Sequence, residues 1–186
     1  YKRQVLLTGH TGFTGGWASH WLAKVGAQVM GYSLEPNSLP NLYSASGVEG
    51  ITKSVIGDIR DFSNLKKEIA EFRPDLVLHL AAQPLVLEGY RNPRETFEIN
   101  TQGTANVLQA AFEVGTVQGV VCVTTDKVYK NLENGRPFKE SDPLGGTDPY
   151  SSSKVAAEAV VSSYQALAAI SNGGFPKVVA ARGGNI

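Results

Sequence analysis

Tyr150 and Lys154 stand four residues apart in the stretch GGTDPYSSSK. Four residues is one helical turn, so the two side chains share a face. An ammonium beside a phenol favours the phenolate. That turns a group titrating near ~10 into a base usable at neutral pH. The same short pattern also fits a tyrosine and a lysine on a solvated helix face, and the rest of the chain must decide between them. A second stretch, GHTGFTGG, spaces Gly9, Gly12 and Gly15 three apart. Such a loop asks for unusual dihedrals at Gly9, close backbone approach to a phosphate at Gly12, and tight helix–strand packing at Gly15. Phe13 and Thr14 open the helix that follows, whose free amides would receive a pyrophosphate. A structural strand–helix turn is the alternative.

These residues need elements to hold them. Gln4 to Thr8 (QVLLT) reads as a strand before the glycine loop, and Trp17, Trp21, Leu22 and Val25 recur at helical spacing after it. Gln28 to Ser33 is a second strand. Where a dinucleotide fold usually carries an acid on the ribose hydroxyls, Ser33 stands, with Glu35 two residues on. No lysine or arginine occurs between Lys24 and Lys53, which favours NAD over NADP. Residues 52–56 form a third strand closed by GDIRD, where Asp58 reaches an adenine amino group, caps a helix, or does both. Phe62, Leu65, Ile69 and Phe72 mark the apolar face of that helix. Leu76 to Leu80 is a continuous apolar run, as in a central parallel strand. It ends in AAQP, where small Ala81 and Ala82 admit a flat ring or a phosphate. His79 within it reads as a satisfied core histidine, and with His10 and His20 it makes no metal-ligand pattern.

Pro93 to Gly115 is expected to be one long helix, with Thr96, Ile99, Val107, Leu108 and Ala111 buried and Gly103 marking close packing. A fifth strand over 117–124 finishes in TTDKVY. A long polar loop follows from Lys130 to Pro149. The second long helix, to Ile170, starts at the Tyr150–Lys154 pair and carries much small apolar surface, suited to close packing across a dimer interface. Lys177 to Ala181 is the sixth strand, followed by RGGNI. Strands alternating with helices make an α/β fold, a doubly wound parallel sheet of the Rossmann type with six or more strands. Ligands of such sheets bind outside the carboxyl ends of the strands. GHTGFTGG, GDIRD, AAQP, TTDK and RGGN all follow strands directly, so they line one crevice.

Composition bounds the partners. The 186 residues carry 17 basic and 17 acidic side chains, so neither a nucleic-acid groove nor an anionic membrane is indicated. Cys122 is the single cysteine; no intrachain disulfide is available, and a buried small hydrophobe is expected. No apolar run is long enough to span a bilayer and no signal peptide is seen, so a cytoplasmic setting is expected. Both ends look cut, and one domain, residues 1–186, is expected as the N-terminal part of a longer enzyme.

The motifs GHTGFTGG, Asp58–Ile59, HLAAQ, NTQGT, TTDK and YSSSK, in that order and over nearly the whole chain, resemble the extended short-chain dehydrogenase/reductase superfamily. GYSLEP, IGDIRD, TTDKVY and GGTDPYSSSK are similar to its nucleotide-sugar 4,6-dehydratases, and Lys127 after Asp126 tilts the resemblance toward those acting on CDP-glucose. The resemblance implies bound NAD, held by Gly9, Gly12, Phe13, Thr14, Gly15, Ser33, Asp58, Ile59, Leu80, Ala81, Ala82, Tyr150 and Lys154. It implies an internal redox dehydration in which Tyr150 takes the C4 hydroxyl proton and Thr125 bonds the same oxygen. Asp126 would protonate the departing C6 hydroxyl. Lys127 occupies the place of the C5 base, and either serves so or holds a phosphate or pairs with Asp126. Gln83 and Asn185 would touch the nucleotide sugar, and a homodimer is implied. Members run on into a smaller substrate domain, largely missing here, so little turnover is expected of this chain alone. A nucleotide-sugar 4-epimerase, a dTDP- or GDP-sugar dehydratase and a non-catalytic dinucleotide sensor are the alternatives.

Overall fold

The computed structural model describes residues 3–133, 135–171 and 173–184. Asn185, expected to touch substrate, lies outside the described residues. Six strands form one parallel sheet in the order β3-β2-β1-β4-β5-β6. They are β1 (Gln4–Thr8), β2 (Gln28–Ser33), β3 (Lys53–Ile56), β4 (Leu76–His79), β5 (Gly119–Thr125) and β6 (Lys177–Gly183). Strand order reverses between β1 and β4, so their carboxyl ends open a crevice. The expected α/β doubly wound fold is the one observed.

The helices are α1 (Phe13–Lys24), α2 (Leu42–Ala45), α3 (Phe62–Phe72), α4 (Val86–Arg91), α5 (Pro93–Phe97), α6 (Gly103–Val114) and α7 (Pro149–Ile170). One core joins Leu6, Met30 and Val77 of the sheet to Leu65 and Ile69 of α3, Val107 and Leu108 of α6, and Val161 of α7. A smaller cluster of Val5, Leu7, Leu22 and Val29 lies under α1. The period-3.6 reading of α3 and α6 therefore located their buried faces.

Two expectations change. The helix over 93–115 is not regular: a π-turn at Glu98–Gln102 separates α5 from α6. Such turns put an extra residue into the helix and re-aim its side chains. Immediately after it, a Cβ on Gly103 would stand 2.4 Å from Ile59 Cδ1, which is the close packing expected at that glycine. In α1, by contrast, the aromatic stripe faces outward. Trp17 is 58% and Trp21 64% exposed, and Val25 is exposed as well, while Gly15, Gly16, Ser19 and Leu22 are buried. Small residues win the inner face because α1 lies too close to its neighbours for large ones. A Cβ on Gly15 would sit 2.0 Å from the Gly9 carbonyl oxygen, and one on Gly16 2.9 Å from Leu42.

The Gly15 contact is with backbone, which cannot step aside without opening the loop. Gly15→Ala is expected to lower unfolding stability by about 1–3 kcal/mol in urea titration. Gly50→Ala, where an added Cβ meets nothing within 4 Å, should stay within about 0.5 kcal/mol of the unsubstituted chain.

Candidate active site

The carboxyl ends of β1, β2, β3 and β4 border a cleft of about 710 Å³. Gly9, Gly12, Phe13, Thr14, Gly15, Ser33, Asp58, Ile59, Leu80, Ala81 and Ala82 all line it. At its floor Gly9 adopts a φ of +81°, and a Cβ there would meet the Ala81 amide nitrogen at 2.8 Å. Gly12 is different. A Cβ on it would meet only the Gly9 oxygen, at 3.4 Å, so the outer side of the loop is clear. Gly12 is also the N-cap of α1, with no side-chain cap and no acid in the first turn. Those uncapped amides, with the positive end of the helix dipole, suit an anion.

The acceptors nearby are partly committed. The Thr11 hydroxyl donates to the Leu34 carbonyl oxygen at 2.9 Å and lies 2.8 Å from the Ser33 hydroxyl, so Ser33 donates to Thr11. Burial pushes the Asp58 carboxyl up, but Arg60 outweighs it and holds it below the usual range. Arg60 donates from Nε at 2.9 Å, from Nη2 at 2.6 Å and from its backbone amide at 2.8 Å. Asp58 is not the helix cap. Asp61 is, accepting from the Asn64 amide at 3.0 Å.

Behind the cleft lies a buried chain of hydrogen bonds. The Leu80 and Ala81 amides both donate to Thr8 Oγ1 at 3.1 Å. Thr8 Oγ1 lies 2.8 Å from His79 Nδ1, and His79 Nε2 lies 3.0 Å from Thr104 Oγ1. Thr104 donates to the Asn100 carbonyl oxygen at 2.6 Å. Its only proton is thereby used, so His79 Nε2 carries a hydrogen and donates to it. Nδ1 is then an acceptor, and Thr8 donates to it. Burial drives the His79 pKa down to about 3, so the ring is neutral and its tautomer is assigned by the network. Asn100, buried within the π-turn, receives the Gln83 amide at 2.8 Å and donates to the Gln83 carbonyl oxygen at 3.0 Å and to Ser153 at 2.9 Å. Ser153 donates to the Tyr150 carbonyl oxygen at 2.7 Å. Gln83 spends its own side chain on Thr96 and on the Leu85 amide, so neither end of its amide is idle.

α7 begins where the sequence expects it. Asp148 accepts from the Tyr150 and Ser151 amides at 2.9 and 3.0 Å, Ser151 completes a capping box, and Pro149 takes the first turn. Thr125 ends β5; its hydroxyl donates to Asp126 Oδ1 at 3.2 Å, and its side chain acts on the Tyr150 phenol against the rise in its pKa. Asp126 and Lys127 follow on a short 3-10 turn, both half-exposed, with Lys127 Nζ 3.8 Å from Asp126 Oδ1. Thr125, Asp126, Lys127 and Tyr150 thus gather at the end of β5, beside the cleft rather than in its lining. Lys154 is buried, and its Nζ donates to the Val123 carbonyl oxygen at 3.4 Å. Burial lowers its pKa to about 8.

The electrostatics correct one expectation. Burial raises the Tyr150 pKa, Thr125 opposes this, and Asp126 and Asp148 add to the rise. The lysine one turn away does not lower it here, because its ammonium turns inward to β5. Four-residue spacing puts two side chains on one face without deciding which way the longer one reaches.

Residues 6–172 match the family model described as GDP-mannose 4,6 dehydratase. The chain belongs to the GDP-mannose 4,6 dehydratase family. Within and around that family it is similar to CDP-glucose 4,6-dehydratase of Salmonella typhimurium, 45% identical over 163 residues, 88% of this chain and 45% of that one. It is 34% identical to dTDP-D-glucose 4,6-dehydratase of Mus musculus over 171 residues, 88% of this chain and 46% of the other. Among solved structures, a double mutant of DesIV, the dTDP-glucose 4,6-dehydratase of Streptomyces venezuelae, with NAD and DAU bound, superposes with a TM-score of 0.81. It is 27% identical and covers 96% of this chain and 54% of its own. The chain therefore spans about half the length of the relatives it matches. No helix among the described residues is long and apolar enough to cross a membrane.

In this GDP-mannose 4,6 dehydratase family member, sequence reading assigned no role to Thr11, Asn100 or Ser153, although each lies within a quoted motif, GHTGFTGG, NTQGT and YSSSK.

His79 sets a pH dependence. Its folded pKa, about 3, lies below the unfolded value of 6.5, so the unfolded chain binds the extra proton. The stability this gives is complete above pH 6.5 and is lost as pH falls from 6.5 toward 3. Between pH 6.5 and 5 it should contribute a loss of up to about 1.4 kcal/mol per pH unit in denaturant titrations. His79→Gln should flatten that slope.

Proposed function

We propose that this chain supplies the dinucleotide-binding and proton-transfer half of an NAD-dependent nucleotide-sugar 4,6-dehydratase, with CDP-glucose as substrate and a CDP-4-keto-6-deoxy sugar as product. The observation that carries it is the meeting at the end of β5 of Thr125, Asp126, Lys127 and the Tyr150 phenol, next to a cleft with an uncapped helix start. The 45% identity to the Salmonella typhimurium enzyme supports the choice of CDP-glucose.

NAD fits the residues present. The glycine loop and the first turn of α1 would take its pyrophosphate, Ser33 and Asp58 the adenosine end, Ile59, Leu80, Ala81 and Ala82 its flat faces, and Tyr150 and Lys154 the nicotinamide ribose. The absence of lysine and arginine between Lys24 and Lys53 supports NAD over a 2′-phosphorylated cofactor. When bound, NAD accepts a hydride from C4 of the sugar and returns it to C6. Tyr150 removes the C4 hydroxyl proton, while Thr125 holds that oxygen by its hydroxyl. The phenol starts protonated in this geometry, so Lys154 must turn from Val123 toward the ribose and phenol to favour the phenolate. Asp126 in its acid form protonates the departing C6 hydroxyl, so water leaves as a neutral molecule. The Lys127–Asp126 ion pair first passes a proton from the ammonium to the carboxylate, which gives Asp126 its acid form and leaves a neutral Lys127 amine to take the C5 proton that the neighbouring 4-ketone acidifies. Gln83 and Asn185 are proposed on the sugar side. The exposed small-residue face of α7, around Ala159 and Ala166, is the proposed homodimer contact. The cytoplasm is the proposed compartment.

The test is product mass with a parent-length protein, NAD and either CDP-glucose, dTDP-glucose or GDP-mannose. Loss of one water from CDP-glucose is expected; loss from another sugar nucleotide instead would move the substrate assignment, and no loss would overturn the dehydratase. Tyr150→Phe should lower kcat by about 10²–10⁴-fold. Asp126→Asn should leave NAD binding intact and stop release of water.

A further inference from the structure

α7 carries a third polar side chain in register with the pair. Glu158 lies one turn beyond Lys154 and is 7% exposed. Its carboxylate is fully engaged by two strands. Thr124 donates to Oε1 at 2.6 Å, Arg182 Nε donates to Oε1 at 2.9 Å, and Arg182 Nη2 donates to Oε2 at 2.7 Å. Thr124 is the neighbour of Thr125 on β5, and Arg182 lies on β6. Arg182 continues outward, with Nη1 donating to the Glu140 carbonyl oxygen at 3.1 Å and its guanidinium carbon 4.8 Å from the centre of the Tyr129 ring. One buried acid thus joins α7, the ends of β5 and β6, and the polar loop before α7.

We propose that Glu158 is the positioning residue of the Tyr150–Lys154 pair: it clamps α7 to the end of β5, and its carboxylate, ion-paired with Arg182, favours the charged form of Lys154 one turn away. This rests on reading Tyr150 and Lys154 as the reacting pair. The clamp acts close to the chemistry, because it ties the helix that carries Tyr150 to Thr124, which adjoins Thr125 at the end of β5. The effect on Lys154 follows from the surroundings. The titratable groups that act on Lys154 are Cys122 of β5, His79 of β4 and Glu158 of its own helix. Burial holds the Cys122 thiol at about 12 and His79 near 3, so neither is charged at neutral pH. Burial also pushes the Glu158 carboxyl up, but Arg182 and Thr124 outweigh it and keep it ionised. A buried ion pair is poor evidence of stability in itself, since desolvation offsets its attraction. Placement beside an amine that must stay cationic gives it a different purpose.

The experiment compares Glu158→Gln and Thr124→Val with the unsubstituted chain. It reads the Lys154 titration by NMR and the NAD dissociation constant by calorimetry. Glu158→Gln keeps shape and acceptor oxygen but removes the charge. Lys154 should then titrate about one pH unit lower, and NAD should bind about tenfold more weakly. Thr124→Val keeps the charge and removes the strand tie; NAD affinity should fall several-fold while the Lys154 titration stays in place. If Glu158→Gln lowers the thermal midpoint but moves neither the titration nor the affinity, Glu158 is a packing residue and the proposal is overturned. If Glu158→Gln does not fold, unchanged NAD affinity in Thr124→Val overturns it. Failure of the unsubstituted chain to bind NAD would refute the reading of the cleft instead, and the Lys154 titration would still decide the effect on Lys154.

Discussion

The structure around the site depends on one constraint: the backbones of β1 and β4 must end side by side, close enough to leave no room for a Cβ on Gly9. Parallel strands at a switch point have no turn to hold their ends in register. Here the buried run from Thr8 through His79 and Thr104 to Asn100 does it. Each donor in that run has one acceptor available, so the network has a single arrangement of protons. A neutral, fully bonded histidine can be buried at little cost, whereas a charged or half-bonded one cannot.

The same network extends to the chemistry. Asn100 sits in the π-turn, and the extra residue of that turn aims its side chain at Gln83 on one side and Ser153 on the other. Ser153 in turn bonds the Tyr150 carbonyl oxygen. The glycine loop, the end of β4 and the start of α7 are therefore one rigid frame. At the carboxyl end of β5, Glu158 and Arg182 make the corresponding connection to β6. Tyr150 is held from both sides, by a neutral network and by an ionic one.

Electrostatics separate the two members of the pair. Burial opposes charge on both, so it raises the tyrosine and lowers the lysine. In this arrangement the phenol is protonated, and the amine, lowered to about 8, is still mostly cationic at neutral pH. The lysine carries a long flexible stem and has two places to put its charge, inward on β5 or outward on the cleft. That choice, rather than the spacing of the two residues, governs when the phenolate forms.

The sequence by itself determined the alternation of strands and helices, because periods of 2 and 3.6 and the glycine and proline boundaries are local properties. It also determined that GHTGFTGG, GDIRD and AAQP end at the crevice, though not that TTDK would stand beside it, and the requirement for small residues at Gly9, Gly15 and Gly103. The inward and outward faces of α3 and α6 were legible for the same reason. Tertiary structure decided what depends on residues far apart in the chain. Trp17 and Trp21, legible as residues at helical spacing, face solvent, because the approach of α1 to its neighbours puts Gly15, Gly16, Ser19 and Leu22 on the inner side. Asp58 was legible as a strand-end acid but not as the partner of Arg60, and the cap read at Asp58 falls to Asp61 once the helix start is placed. Glu158 was invisible, because its partners Thr124 and Arg182 come from two other strands. The direction of Lys154 was undecided for the same reason: a helix sets which face a side chain leaves from, and only the surrounding strands set where its charge ends.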